Sequence, residues 1–173
     1  MIIKKNISTK KTLQVMTQEQ KFTELIQKHK RTIYTVCYMF SKNKDEVDDL
    51  FQEILIRLWK GFDNFEGRSS EQTWIYRISL NTAINQSKKQ RNRIETIPLT
   101  MDIDPYEADN PETQQIRQLY DRIYWLDLID RSLILLWLDG VSYDEISAII
   151  GITPNNVGIR LLRIKDKLVK MGN

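Results

Sequence analysis

The sequence predicts an all-α protein made of two small helical domains joined by an acidic linker, the second domain containing a helix-turn-helix. Apolar residues recur at helical spacing from about residue 18 to 89 and again from 117 to 170, without the strict alternation typical of a half-buried strand. Between these stretches the composition becomes acidic and proline-containing. A chain of 173 residues has room for one ordinary domain or two small ones.

Bulk composition favours a globular protein of a reducing compartment. The 41% hydrophobic and 28% charged content is unlike that of a disordered or low-complexity chain. The single cysteine, Cys37, excludes an internal disulfide. Residues 1–17 carry lysines without an apolar run long enough for a signal peptide, and nothing approaches a membrane span. We therefore predict a cytoplasmic protein that is not inserted in a membrane and begins with a flexible extension over residues 1–17.

The first predicted domain covers residues 18–93 and contains three or four helices. Asn43 and Asp45 offer the start of a helix, because their side chains can cap its free backbone amides. Gly61 and Gly67 indicate turns between helices.

Within this domain, the segment DEVDDLFQEILIRLWK predicts a helix with two unlike faces. One face is apolar and buried, while Asp48, Asp49 and Gln52 share the other. Ile56 falls among these polar residues. An exposed apolar side chain surrounded by carboxylates is typical of a protein-binding patch, and a basic partner surface would fit it.

Two other interpretations of this acidic helix remain. The carboxylates can simply solvate a helix face and favour the positive end of its dipole. Alternatively Asp48, Asp49 and Glu53 could hold a hard cation in a helical metal-dependent enzyme.

The next predicted helix, in SSEQTWIYRISLNTAINQSKKQRNR, combines aromatic, amide and cationic side chains on one stripe. Such a stripe suits single-stranded DNA, since a base can stack on an aromatic ring while cations follow the phosphates. The alternative places the tryptophan in the core and leaves an ordinary polar outer face. The residues of the stripe are Trp74, Arg77, Asn81, Asn85 and Lys88.

Residues 94–116 form the predicted linker. The stretch carries six acidic residues and three prolines but no Lys or Arg. Such a segment cannot bury enough apolar surface to offset the entropy of ordering it. The alternative is a polar loop inside one domain.

The second predicted domain covers residues 117–173. It begins with one strongly apolar helix that runs past Trp137 and ends at Gly140. Ser142 can cap the following helix and Gly151 can end it. Pro154 suits the first turn of the last helix. A short helix, a glycine-containing turn and a longer helix have the proportions of a helix-turn-helix.

The last helix is predicted to present a cationic face to duplex DNA. From Pro154 onwards there are five Lys or Arg residues against one acid, a local net charge of +4. A major groove accepts such a helix, with its first side chains reaching base edges and later cations contacting phosphates. The alternative is an ordinary solvated helix. Helical spacing places Asn156, Arg160, Arg163 and Lys167 on one flank, beside a stripe of Asn155, Ile159 and Lys170.

Three segments together resemble the extracytoplasmic-function (ECF) class of sigma factors, the specificity subunits of bacterial RNA polymerase. VDDLFQE followed by LW resembles the helix that binds the polymerase clamp. TWIYRISLNTAIN resembles the helix that reads and opens the minus-ten promoter element, and DGVSYDEISAIIGITPNNVGIRLLRIK resembles the minus-thirty-five reader. The order and separation of the segments, over about residues 22–168, make the resemblance more specific than any one motif.

The resemblance implies site residues and partners. It places Asp48, Asp49, Gln52 and Glu53 at the clamp of the largest polymerase subunit. It also implies that a flipped minus-ten base enters a pocket near Phe65 and Asn81. The implied partners are core RNA polymerase, promoter DNA that is double-stranded at minus thirty-five and partly single-stranded at minus ten, and the anti-sigma factor that the family often has. No cofactor, catalytic residue or metal site is implied.

The sequence departs from the family pattern in the last helix. Where the family usually places a Lys and a Ser after the valine, this chain has Gly158 and Ile159. Gly158 weakens a helix by about 1 kcal/mol relative to Ala and removes a phosphate contact. The minus-thirty-five sequence that the family reads therefore does not carry over.

The resulting hypothesis is a non-enzymatic sigma factor that binds core polymerase and directs promoter recognition, DNA melting and initiation. The first alternative is a helix-turn-helix regulator that binds duplex DNA without polymerase. The second is the helical metal-dependent enzyme, for which a single histidine and the absence of a glycine-rich phosphate loop give little support.

Overall fold

A computed structural model of the chain describes residues 16–89 and 111–172, and all regular structure in those two ranges is helical. Most of the predicted N-terminal extension and residues 94–110 of the predicted linker lie outside the described residues. Seven helices follow one another in the described ranges. They are α1 (Gln18–Phe40), α2 (Lys44–Phe62), α3 (Glu71–Lys89), α4 (Pro111–Tyr124), α5 (Leu128–Leu138), α6 (Tyr143–Ile150) and α7 (Pro154–Lys170).

Helices α1, α2 and α3 pack on one another and form the first helical group. Thr17 caps α1 through a reciprocal capping box with Gln20, which satisfies amides that would otherwise lack a partner. The side chain of Asn43 accepts from the amide of Glu46 at the start of α2, as the sequence predicts. Ile54 and Ile75 are fully buried between the helices.

The sequence-based prediction of one continuous helix from residue 117 past Trp137 is wrong. The segment is divided into α4 and α5, with a break at residues 125–127. Asp127 accepts hydrogen bonds from the backbone amides of Ile129 and Asp130 and thereby caps α5. A short carboxylate that bonds its neighbouring amides favours a new helix start over continuation of the old one.

The predicted linker also extends too far. Helix α4 begins at Pro111, so the last six residues of the 94–116 stretch are helical. Proline suits the first position of a helix, because its fixed φ is already helical and its missing amide would have no partner there. The proline that we interpreted as a linker residue thus opens a helix.

The C-terminal group of helices α4–α7 contains the predicted helix-turn-helix. Ser142 and Glu145 form a capping box at the start of α6. Gly151 ends α6 with φ of 83°, in the left-handed region that glycine adopts without strain. Thr153 caps α7 and Pro154 is its first residue. The predicted roles of Ser142, Gly151 and Pro154 are confirmed.

The two helical groups contact each other along α3. The Tyr76 hydroxyl donates to the Asp139 carboxylate at 2.9 Å, and the Thr73 hydroxyl donates to Glu145 at 2.7 Å. Burial, reinforced by the Asp139 carboxylate, raises the pKa of Tyr76. The buried apolar residues form one contiguous cluster across both groups. The described parts of the two groups therefore share one buried core.

A half-buried arginine adds a second link between the groups. Arg131, on α5, donates to the backbone oxygen of Met39 near the end of α1, at 2.6 Å. It also donates to the backbone oxygens of Tyr124 and Leu126. Its guanidinium lies 5.3 Å from the centre of the Phe40 ring. The Met39 carbonyl near the end of α1, where the helix carries partial negative charge, is therefore satisfied by a cation from the other group.

Candidate functional site

The polar face of α2 carries the predicted protein-binding patch. Asp48, Asp49 and Gln52 are exposed, because the opposite side of the helix packs into the core. Ile56 is 48% exposed on this helix and Trp59 is 39% exposed. The patch thus combines solvent-exposed apolar surface with carboxylates, as the helical spacing predicts.

Glu53 differs from the other acids of this patch. Its carboxylate accepts from Arg57 Nε at 2.6 Å, one turn further along the helix. The pair is exposed to solvent, so it is weak and Glu53 remains accessible to a basic partner. Over residues 16–89 and 111–172, no cluster of three or more His, Cys, Asp or Glu side chains is arranged to hold a metal ion. The geometry of Asp48, Asp49 and Glu53 therefore gives no support to the metal-dependent enzyme.

The predicted stripe on α3 is exposed except at its aromatic end. Arg77, Asn81, Asn85 and Lys88 are exposed, while Trp74 is half-buried. Trp74 lies close to α2, since a Cβ on Gly61 would be 3.4 Å from its ring. Helix α2 continues one residue past Gly61, so this glycine provides space for the tryptophan instead of ending the helix.

Phe65 and Trp74 line a cavity of about 380 Å³ at the start of α3. Their rings are 4.8 Å apart, centre to centre, at an angle of 31°. Arg77 lines the same cavity, whereas Asn81 is not part of its wall. The structure thus joins three predicted residues in one pocket and leaves Asn81 further along the helix.

Sequence reasoning missed the loop residues that complete this cavity. Asn64, Glu66, Arg68 and Ser69 line it and lie between α2 and α3. Loop residues carry no periodic pattern, so helical spacing could not find them. The only sequence signal is the run of polar residues and glycine after Phe65.

The cationic flank of α7 is exposed, with one exception. Asn155, Asn156, Arg163 and Lys167 are exposed. Arg160 is partly covered by α5, where its Nη2 and Nε lie 2.6 and 3.0 Å from Asp130 Oδ1. Partial burial raises the pKa of Asp130, and the hydrogen bond from Arg160 opposes that rise.

The outermost stripe of α7 is more apolar than its predicted members indicate. Besides Ile159, it includes Leu162 and Val169, each 63% exposed. The buried stripe of α7 lies on the opposite side of the helix. Exposed apolar surface therefore runs beside the cationic flank.

The described residues include no helix that is both long enough and apolar enough to cross a membrane.

A protein-family model matches the first helical group of the chain. Residues 25–93 match the model of sigma-70 region 2. This range covers most of α1 together with α2 and α3, including the acidic patch and the Phe65–Trp74 cavity.

Three curated relatives extend the similarity over most of the chain. The ECF RNA polymerase sigma factor SigX of Bacillus subtilis is 26% identical over 168 residues, covering 88% of this chain and 87% of SigX. The ECF RNA polymerase sigma-E factor of Escherichia coli is 28% identical, covering 87% and 85%. The ECF sigma factor SigE of Mycolicibacterium smegmatis is 30% identical over 84% of this chain, which spans 59% of that relative's length.

Two solved structures share the fold. The sigma factor RpoE of Bartonella quintana, in complex with the anti-sigma factor NepR, superposes with a TM-score of 0.71 at 21% identity, covering 87% of this chain and 95% of RpoE. CnrH, in complex with the cytosolic domain of CnrY, gives a TM-score of 0.65 at 21% identity. The sigma-70 region 2 match and the relatives along most of the chain show that this chain is similar to the extracytoplasmic-function sigma factors of bacterial RNA polymerase, and the two solved structures share its fold.

Proposed function

We propose that this chain binds core RNA polymerase and directs it to promoters through two DNA contacts. The observation that carries the proposal is that two surfaces of opposite charge lie on different helices of the molecule. An acidic and apolar patch is exposed on α2, while a cationic flank is exposed on α7. The first suits a basic protein surface and the second suits the phosphates of a duplex.

The clamp of the largest polymerase subunit is the proposed partner of α2. Asp48, Asp49 and Gln52 supply the polar contacts, with Glu53 released from Arg57 on binding. Ile56 supplies apolar area at the centre of the patch, where it is 48% exposed in the free chain. Exposed apolar surface surrounded by polar residues is typical of protein interfaces.

The proposed minus-ten contact lies on α3 and in the cavity before it. Phe65 and Trp74 contact each other and form one aromatic wall of the cavity, against which an unstacked base can stack, and Arg77 lines the same cavity. Flipping a base out of the stack costs a few kcal/mol, which stacking and hydrogen bonds in the cavity would offset. Asn81, Asn85 and Lys88 continue along the exposed face of α3 and would follow the strand.

The proposed minus-thirty-five contact is the insertion of α7 in the major groove. Asn155 and Asn156 lie in the first turn, where side chains of a recognition helix reach base edges. Arg163 and Lys167 follow on the exposed flank and would contact phosphates. Arg160 would contribute less to phosphate binding, because Asp130 already neutralises part of its charge.

The chain itself is proposed to perform no chemistry, since the polymerase supplies the catalytic site. Its place of action would then be the cytoplasm, where the polymerase works. The acidic segment between the helical groups would join the two DNA-bound groups and follow basic surfaces of the polymerase instead of DNA. An anti-sigma factor is a further proposed partner, because the solved relatives RpoE and CnrH are each held in complexes with other proteins, in the first case a named anti-sigma factor.

Charge reversal on α2 tests the polymerase contact. The double variant Asp49→Lys, Glu53→Lys should lose binding to core polymerase and promoter-directed transcription, because like charges would then face each other across the interface. Both side chains are outside the core, so circular dichroism should remain unchanged. The readouts are a pull-down with core polymerase and in vitro transcription.

A matched control uses the same change of charge at a distance from α2. Asp121 on α4 and Asp166 on α7 are both exposed, and their replacement by Lys should leave polymerase binding intact. Undiminished binding by a folded Asp49→Lys, Glu53→Lys variant would contradict the proposed contact.

A further inference from the structure

The outward stripe of α7 contains apolar side chains where a solvated helix would carry polar ones. Ile159 is 43% exposed and Leu162 is 63% exposed. They are three residues apart and therefore neighbours on the helix surface. Val157 and Leu161 point to the core from the other side, so the buried stripe is already complete without the exposed pair.

The surroundings of this pair indicate what covers it. Asn155 and Asn156 precede it in the first turn of α7, and Arg163 and Lys167 continue the adjacent flank. A protein groove that buried this pair would also desolvate the two cations. The DNA major groove presents phosphates at its walls and, at each A·T pair, the apolar 5-methyl group of thymine on its floor. Cations beside a small apolar patch thus match duplex DNA.

The position of the pair along α7 agrees with base contact. Ile159 and Leu162 are the sixth and ninth residues of the helix, and the N-terminal part of a recognition helix is the part that reaches base edges. Gly158 carries no side chain beside Ile159. A Cβ at Gly158 would point to the Tyr143 ring, at 3.4 Å. Gly158 thus faces α6, whereas the side chain of Ile159 is 43% exposed and accessible to DNA.

We propose that Ile159 and Leu162 read thymine methyl groups in the upstream promoter element. The inference rests on the proposed promoter function of α7 and adds the base feature that the helix selects. Asn155 and Asn156 provide hydrogen bonds to neighbouring base edges, and the apolar pair favours thymine over cytosine, which lacks the methyl group. Upstream elements bound by this chain should accordingly contain thymine at one or two fixed positions.

Replacement of thymine by uracil removes the methyl group alone and keeps the base pair. The holoenzyme is first used to select bound promoters from a random library. Each thymine of the selected upstream element is then replaced by deoxyuridine, and the affinity of the holoenzyme is measured. At one or two positions we expect a loss of about fourfold per methyl group, the effect of returning one buried methyl-sized group to water.

Two variants connect this loss to the proposed residues. With Ile159→Ala or Leu162→Ala, the position facing the altered side chain should bind thymine and uracil equally. Both positions are exposed, and Ala is a better helix former than Ile or Leu, so the variants should fold. Val169→Ala is the matched control, because Val169 is 63% exposed on the same stripe but lies about 10 Å beyond Leu162 and about 15 Å beyond Ile159 along the helix axis.

The possible outcomes separate the two proposals. A wild-type holoenzyme that selects promoters but shows no uracil effect overturns the methyl reading and leaves the promoter function standing. The methyl reading is likewise overturned if the uracil effect persists in both Ile159→Ala and Leu162→Ala, or disappears equally in Val169→Ala. If the wild-type holoenzyme selects no promoter at all, the proposed function fails and the methyl reading fails with it.

Discussion

Two arginines, one turn apart on α7, stand in different surroundings. Arg160 donates two hydrogen bonds to the Asp130 carboxylate. Part of its positive charge is therefore already neutralised before the helix binds DNA. Arg163 is exposed on the same flank. Since the salt dependence of DNA binding measures the number of phosphates neutralised, these arginines should contribute unequally.

Arg163→Ala should lower the slope of log affinity against log salt by about 0.9, the value for one lost phosphate contact. Arg160→Ala should change the slope less, because Asp130 already neutralises part of that charge. The affinity of the holoenzyme for one promoter duplex, measured over a salt series, gives both slopes. Equal changes would show that the ion pair with Asp130 opens on DNA.

The stability of the short helices in the C-terminal group depends on the residues that cap their ends. Helix α6 has only eight residues, and helices of this length are marginal without caps and packing. The capping box at Ser142 secures its start, and the left-handed residue Gly151 secures its end. The angle between α6 and α7 therefore depends on a few residues at the turn.

Two glycine substitutions should have opposite effects on this unit. Gly151 has φ of 83°, and no atom lies within 4 Å of the position that a Cβ would take there, so Gly151→Ala should cost about 1 to 2 kcal/mol through backbone strain alone. Gly158 lies inside α7, where Gly158→Ala should stabilise by up to about 1 kcal/mol. The ring of Tyr143 would contact the new methyl group at an ordinary 3.4 Å.

Denaturant unfolding of both variants measures these differences. Neither substitution places the new methyl group in a forbidden contact. A loss of stability in Gly151→Ala would therefore come from backbone strain and not from steric crowding. If Gly151→Ala were as stable as the wild type, the left-handed turn would not be essential to the helix-turn-helix.

At the scale of the molecule, the main finding is the docking of the two helical groups. Asp139, at the end of α5, accepts from Gln72 at 2.6 Å and from Tyr76 at 2.9 Å. Arg77, a proposed minus-ten residue, also donates to the backbone oxygen of Ala148 on α6, at 3.4 Å. Part of the α3 surface is thus held by the group that carries α7.

Asp139→Ala should weaken this docking. Loss of the shared acceptor for Gln72 and Tyr76 should lower the free energy of unfolding by about 1 to 3 kcal/mol. Calorimetry should show one cooperative transition for the wild type and a broadened or divided transition for the variant. Asp121→Ala is the control, since Asp121 is exposed on α4 and such surface changes usually stay within about 0.5 kcal/mol. A variant no less stable than this control would show that Asp139 does not hold the groups together.

Much of the candidate site could be predicted from the sequence, because exposure along a helix follows its period. The spacing correctly placed Asp48, Asp49 and Gln52 on the outside of α2, and Asn156 and Arg163 on the outside of α7. The sequence could not reveal the pairing of Arg160 with Asp130, which are 30 residues apart. The loop residues that complete the Phe65–Trp74 cavity were missed for a similar reason, since no periodic pattern marks them.

Local sequence was sufficient for most of the helices, their caps and the polarity of each face, because these depend on residues within one or two turns of each other. Packing settled the remaining features: which loop residues line the cavity before α3, and that Asp139 and Arg131 join the two groups. Those features depend largely on contacts between residues far apart in the chain, whose free energy is realised only when the helices pack.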